Sequence, residues 1–244
     1  KNIKDSFSRI SEIVYQTPVL SSISINKALK ADITFKAECL QETGSFKLRG
    51  ASSAISVLSK EEKSRGVVAF SSGNHAQGIA YASRELGTSA KIVMPSDAPK
   101  IKIWKTQEYG AEVIFYERDE DNREEIGFSI AKEEGRKLIK PFDDLNVIYG
   151  QGTAALEVMD EVDTKFDMSV VCCSGGGLAA GTGIVLKNSL SDCQLYTAEP
   201  KDWNDHEKSF LQNNIVSIKT KKHGMCDALE NPQPGEITFR INSA

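Results

Sequence analysis

Lys47 is the side chain best placed for covalent chemistry, because Gly44-Ser45-Phe46-Lys47-Leu48-Arg49-Gly50 sets a single lysine among small and apolar residues. An amine with reduced solvation and a nearby positive charge, here Arg49, has a lowered pKa, which Schiff-base formation needs at neutral pH. The competing reading is a solvated lysine flanking a helix. Ser71-Ser72-Gly73-Asn74-His75-Ala76-Gln77-Gly78 gathers hydroxyls and an amide at a helix start, a set that suits a carboxylate. Ser71 or Ser72 would serve equally well there as an N-cap. In Ser174-Gly175-Gly176-Gly177-Leu178-Ala179-Ala180-Gly181, glycines let backbone N–H groups converge on a phosphate ahead of a helix.

The third segment has a rival use. Gly175-x-Gly177-x-x-Ala180 satisfies a dinucleotide fingerprint, and Glu199 falls about 20 residues on, where a ribose-binding acid belongs. That reading leaves Lys47 and Ser71–His75 without a task. Glu199 and Asp205 also lie on one turn-forming segment, Glu199-Pro200-Lys201-Asp202-Trp203-Asn204-Asp205. A turn there brings both carboxylates onto one hard cation, with backbone oxygens and water completing the shell. The alternative is a solvated loop.

Alternating apolar runs and helical patterns must position these groups. The sequence predicts strands over 33–38, 67–71, 90–94, 112–116, 168–173 and 194–198, and helices over 48–59, 75–86, 99–109, 122–135, 150–161 and 178–189. Runs such as Lys91-Ile92-Val93-Met94 suit parallel strands covered on both faces, so the fold class is α/β with right-handed crossovers. A formal charge of −4, with no basic block, argues against a nucleic-acid surface. Lys219, Lys221 and Lys222 read as a solvated turn. The five cysteines form no C-x-x-C pair and fit buried free thiols in a reducing compartment. No apolar stretch reaches the roughly 20 residues that cross a bilayer, and the start as given shows no signal peptide. Cytoplasm is the expected location. The absence of an initiator Met and the ending at Ala244 suggest a fragment cut at both ends.

Together the three ordered motifs resemble those of the serine/threonine dehydratase (ammonia-lyase) and serine racemase group of fold-type II pyridoxal-phosphate enzymes. The resemblance runs from Thr17-Pro18 to the C-terminal end. It implies a tryptophan synthase beta-like fold of two open α/β domains. The large one is 1–65 plus 143–244, truncated at its C-terminus, the small one is 66–142, and hinges lie near Gly66 and Asp143–Asn146. It implies pyridoxal 5'-phosphate on Lys47, bordered by Phe46, with Asn74 on the ring oxygen and Gly175, Gly176, Gly177 and Leu178 at the phosphate. Ser71, Ser72, Asn74 and His75 would hold substrate, Ser72 also carrying a proton on the face opposite Lys47. Glu199, Asp205 and the Trp203 carbonyl would bind Mg²⁺, or else Mn²⁺ or Ca²⁺. Asp227 falls in a segment that packs beside the cofactor ring, or else is a helix N-terminal charge. The pyridine-nitrogen partner would lie beyond Ala244.

The implied reaction is ammonia release from L-threonine, L-serine or a related 3-hydroxy amino acid, leaving a 2-oxo acid. Serine racemase and threo-3-hydroxyaspartate ammonia-lyase are the alternatives. A nicotinamide-dependent oxidoreductase or a non-catalytic amino-acid sensor are more remote ones. The expected partners are a small amino acid and further copies of the chain, as homodimer or homotetramer, with no nucleic acid and no membrane.

Overall fold

Runs that are apolar on both faces become the central strands, and the segments between them become covering helices. The structure, a computed structural model, describes every residue except Thr164, Ser191 and Lys221. The elements run α1 (Asn2–Ile10), β1 (Val19–Ser21), α2 (Ile23–Leu29), β2 (Thr34–Lys36), α3 (Lys47–Ser56), α4 (Lys60–Arg65), β3 (Val67–Phe70) and α5 (Asn74–Glu85). They continue with β4 (Ala90–Pro95), α6 (Lys100–Glu108), β5 (Glu112–Tyr116), α7 (Arg123–Glu134), β6 (Lys137–Leu138) and α8 (Leu145–Glu161). The last are β7 (Met168–Cys172), α9 (Gly177–Ser189), β8 (Gln194–Ala198), α10 (Asp205–Gln212) and α11 (Glu236–Asn242).

Four parallel strands form one sheet in the order β5-β4-β3-β6. Alternation along β3 splits the core in two. Val67 and Ala69 join Ile10, Leu48, Ile55, Ile79 and Val147 on one face, while Val68 and Phe70 pack with Val93 and Tyr116 against Ile126 and Ile130 of α7 on the other. β7 and β8 make a separate parallel pair, and β1 and β2 an antiparallel one.

Close helix contacts set the platform for the site. A Cβ on Gly150 of α8 would stand 2.4 Å from the Arg49 carbonyl oxygen, and one on Gly181 of α9 would stand 2.5 Å from the Gly152 nitrogen. Glycine at these positions lets α3, α8 and α9 meet backbone to backbone. The α8 helix starts at Leu145, five residues ahead of expectation, because the Asp144 carboxylate accepts from the Asn146 and Val147 amides. At the segments expected as hinges, Asp143 accepts from the Ile237 amide at 2.8 Å, and Gly66 (φ +90°) is packed against Arg136 and Ser89.

Two expectations change. All five thiols are free, yet only Cys173 is buried, since Cys172 ends a strand whose outer face, with Met168 and Val170, is exposed. Among the described residues, one face of the strand pair β7–β8 is exposed. Of the three-lysine turn, Lys219 is exposed and Lys222 pairs with Asp202 at 3.0 Å, while Lys221 lies outside the described residues.

Candidate active site

Lys47 opens α3, and its backbone lies under α5, where a Cβ on Gly78 would come within 3.1 Å of the Lys47 carbonyl carbon. The side chain donates from Nζ to the Pro141 carbonyl at 2.8 Å, and the Phe46 ring centre lies 5.4 Å from the same nitrogen. The residue keeps some surface, but the amine is enclosed, and burial lowers its pKa to about 8. Of the two expected causes, loss of water holds and the Arg49 charge does not. The Arg49 guanidinium bonds Glu38 and Glu157 at 2.6 to 2.8 Å, so its charge is already matched. Loss of water, rather than repulsion, tunes Lys47.

At the start of α5 the N-cap is Gly73, with no side-chain cap, and Ser71 Oγ accepts from the Gly73 amide at 3.2 Å. Neither serine takes the capping role, which leaves the first-turn amides of α5 to a ligand. Ser72 and Asn74 are partly exposed beside them. His75 is buried, with Nε2 3.1 Å from the Ile139 carbonyl. A carbonyl only accepts, so Nε2 carries the proton and Nδ1, which has no partner, is a bare acceptor. Burial and then the Lys47 charge push the His75 pKa down to about 3, so the ring is neutral.

The glycine loop joins this site through Phe142, next to Pro141. A Cβ on Gly175 would stand 2.2 Å from the Phe142 ring, and one on Gly177 would stand 3.2 Å from the Phe142 Cβ. Gly176 has φ +90° and caps α9, in whose first turn Leu178 lies. The loop's carbonyls are tied back by α11: Thr238 Oγ1 donates to the Gly175 oxygen at 2.6 Å, and Asn242 Nδ2 to the Gly176 oxygen at 3.2 Å. Beneath it His206 is buried, its Cε1 2.6 Å from where a Cβ on Gly176 would stand, and burial lowers its pKa to about 4.

Glu199 follows β8 and accepts from the His206 and Glu207 amides at 2.9 and 3.0 Å, capping α10. A dinucleotide site would need that carboxylate for ribose. Asp205 is fully buried, neither carboxylate oxygen receives an N–H donor, and burial, then the neighbouring Glu199, push its pKa well up. Trp203 ends a short turn of 3-10 helix and donates from Nε1 to the Lys222 carbonyl at 2.9 Å. Among the described residues, no group of three or more His, Cys, Asp or Glu side chains could hold a metal. His223 pairs with Glu230 at 2.7 Å. Asp227 begins another short 3-10 turn and pairs with Lys102 at 2.6 Å.

The sequence reading missed Pro141, Phe142, Thr238 and Asn242, which act through contacts with distant backbone that no motif records.

The family described as "Pyridoxal-phosphate dependent enzyme" matches residues 10–243. The chain belongs to this family. It is 44% identical over 240 residues to the L-threo-3-hydroxyaspartate ammonia-lyase of Saccharomyces cerevisiae, covering 98% of this chain and 73% of that one. To the serine racemase of Schizosaccharomyces pombe it is 41% identical over 240 residues, covering 98% and 74%. The solved threonine deaminase of T.th. superposes with a TM-score of 0.93 at 36% identity, covering 99% of this chain and 78% of that one. The fold is therefore that of the fold-type II members, and relatives within it are ammonia-lyases and racemases.

The residues present fit the cofactor that the family implies. They supply an enclosed amine with a lowered pKa and, at the start of α9, three glycines whose Cβ positions are taken by Phe142 and His206, so that the loop stays bare backbone there.

Proposed function

We propose that this enzyme releases ammonia from L-threonine, L-serine or a related 3-hydroxy amino acid, leaving a 2-oxo acid, with racemisation as a minor activity. The observation that carries the reading is the enclosed Lys47 amine, hydrogen-bonded to Pro141 between an uncapped helix start and a glycine loop. The relatives' own activities support it.

Lys47 would bind the cofactor through Nζ, and the backbone amides of Gly175, Gly176, Gly177 and Leu178 would take its phosphate. When bound, the cofactor withdraws electrons from the substrate's α-carbon. Ser71, Ser72, Asn74 and the amides of α5 would orient the substrate carboxylate, with His75 neutral beside them. The Lys47 amine, released when substrate enters, would take the α-proton; a base near pKa 8 is suited to that at physiological pH. The Ser72 hydroxyl would hold a proton on the opposite face. Asp205 and Glu199, with the Trp203 carbonyl, would bind a divalent cation such as Mg²⁺. Two buried oxygens without partners are what such an ion would satisfy.

The four-stranded sheet within 67–138 supports a small domain of 66–142 set into a large one of 1–65 plus 143–244. Among the described residues, no helix is long and apolar enough to cross a membrane. A cytoplasmic homodimer or homotetramer completes the proposal.

The test is product analysis on full-length, cofactor-loaded protein. Ammonia should outpace D-serine formation, and Ser72→Ala should abolish racemisation while elimination stays within roughly tenfold, a barrier change of about 1.4 kcal/mol. Faster racemisation than ammonia release would reverse the order of activities. Unchanged racemisation in Ser72→Ala would remove that residue from the reaction.

A further inference from the structure

Lys102 projects from the first turn of α6 onto the serine loop. A Cβ on Gly73 would stand 3.2 Å from Lys102 Cδ and 3.3 Å from its Nζ. The ammonium's partner is Asp227, 2.6 Å away on a short 3-10 turn, with the lysine side chain 23% exposed and the aspartate 62%. An ion pair with one partner largely in water is weakly held and exchanges readily for another carboxylate.

The loop already has donors for one carboxylate. The first-turn amides of α5 have no side-chain cap, and Ser71 lies at the same turn. A separate positive charge one residue ahead of Asn74 is more than a monocarboxylate needs. The fold does not require it either, since its counter-ion is an exposed side chain from a different part of the chain.

We infer that Lys102 is a specificity-determining residue that receives the side-chain carboxylate of a 3-hydroxy dicarboxylic amino acid, displacing Asp227. In such a substrate the two carboxylates sit on adjacent carbons, matching a cation that lies beside, rather than within, the amide-lined turn. Serine and threonine carry nothing to displace Asp227, so for them Lys102 stays paired. The inference rests on the proposed reaction and names its substrate class.

The experiment compares kcat/KM for L-threo-3-hydroxyaspartate and L-threonine in full-length holoenzyme, parent against Lys102→Gln and Lys102→Arg. Binding of succinate and of butyrate, measured by calorimetry, runs beside it. Lys102→Gln should lower kcat/KM for the dicarboxylate about 10- to 100-fold and leave threonine within about threefold. Succinate should weaken in step while butyrate does not, and Lys102→Arg should restore the preference. An equal loss on both substrates would place Lys102 at the α-carboxylate or the loop itself. An unchanged preference would put the second carboxylate elsewhere; either result overturns the inference. If the parent releases ammonia from neither substrate, the proposed reaction fails, and the succinate and butyrate affinities still decide the role of Lys102.

Discussion

Arg49 and Asp205 are both shut away from solvent, but the chain surrounds the first with counter-charge and leaves the second beside another acid. Arg49 bonds Glu38 and Glu157 and also donates to Thr153 and the Tyr15 carbonyl, while Lys36 balances Glu157 at 2.7 Å. Two cations meet Glu38 and Glu157, with Glu161 also 4.0 Å from Lys36, so every buried charge in the group has a counter-charge. The group pins the first turn of α3, and with it Lys47, against α8. Asp205 has two unpartnered oxygens and Glu199 as its charged neighbour. A buried charge is tolerable when paired and costly when not. The closed cluster is scaffold, and the open one suits an ion taken from solution.

Breaking the closed cluster should have the largest effect. Glu157→Gln leaves Arg49 and Lys36 short of a buried counter-charge and should cost about 3–5 kcal/mol in denaturant unfolding. A loss under about 1 kcal/mol would mean that the cluster holds nothing in place.

The open cluster should respond more modestly. Saturating Mg²⁺ at about 100 times its Kd should stabilise the parent by about 2.7 kcal/mol. A protonated carboxylate is a poor ligand, and burial with Glu199 alongside raises the Asp205 pKa, so the gain should grow as pH rises. The Glu199→Ala, Asp205→Ala double variant should lose the response. An equal response in both proteins would make these acids part of a solvated loop.

How much the sequence disclosed follows the same division between local and non-local causes. Strands β5 and β8 fall on the expected 112–116 and 194–198, because a short apolar run between turns depends on its own residues. Lys47, the α5 turn and the glycine loop were legible because each motif needs particular residue types at a helix start. The short strands β1 and β6 have too few residues to show a period. Helix α11 has one buried residue, Thr238, whose purpose lies in the distant Gly175 carbonyl. Of the two expected causes of the Lys47 pKa, loss of water holds, while Arg49 adds nothing, because sequence puts it two residues away but cannot show that Glu38 and Glu157 have already claimed it.

The central claim is that Lys47 is the amine that takes the cofactor, and borohydride reduction followed by peptide mapping tests it most directly. Protein incubated with pyridoxal 5'-phosphate across a pH series is reduced, digested and scored for label. Only the neutral amine attacks the aldehyde, so capture should rise with pH and reach half its maximum near 8, with the label on Lys47. A solvated lysine would instead titrate near about 10.4. Label on another lysine, or an undiminished yield in Lys47→Ala, would contradict the account.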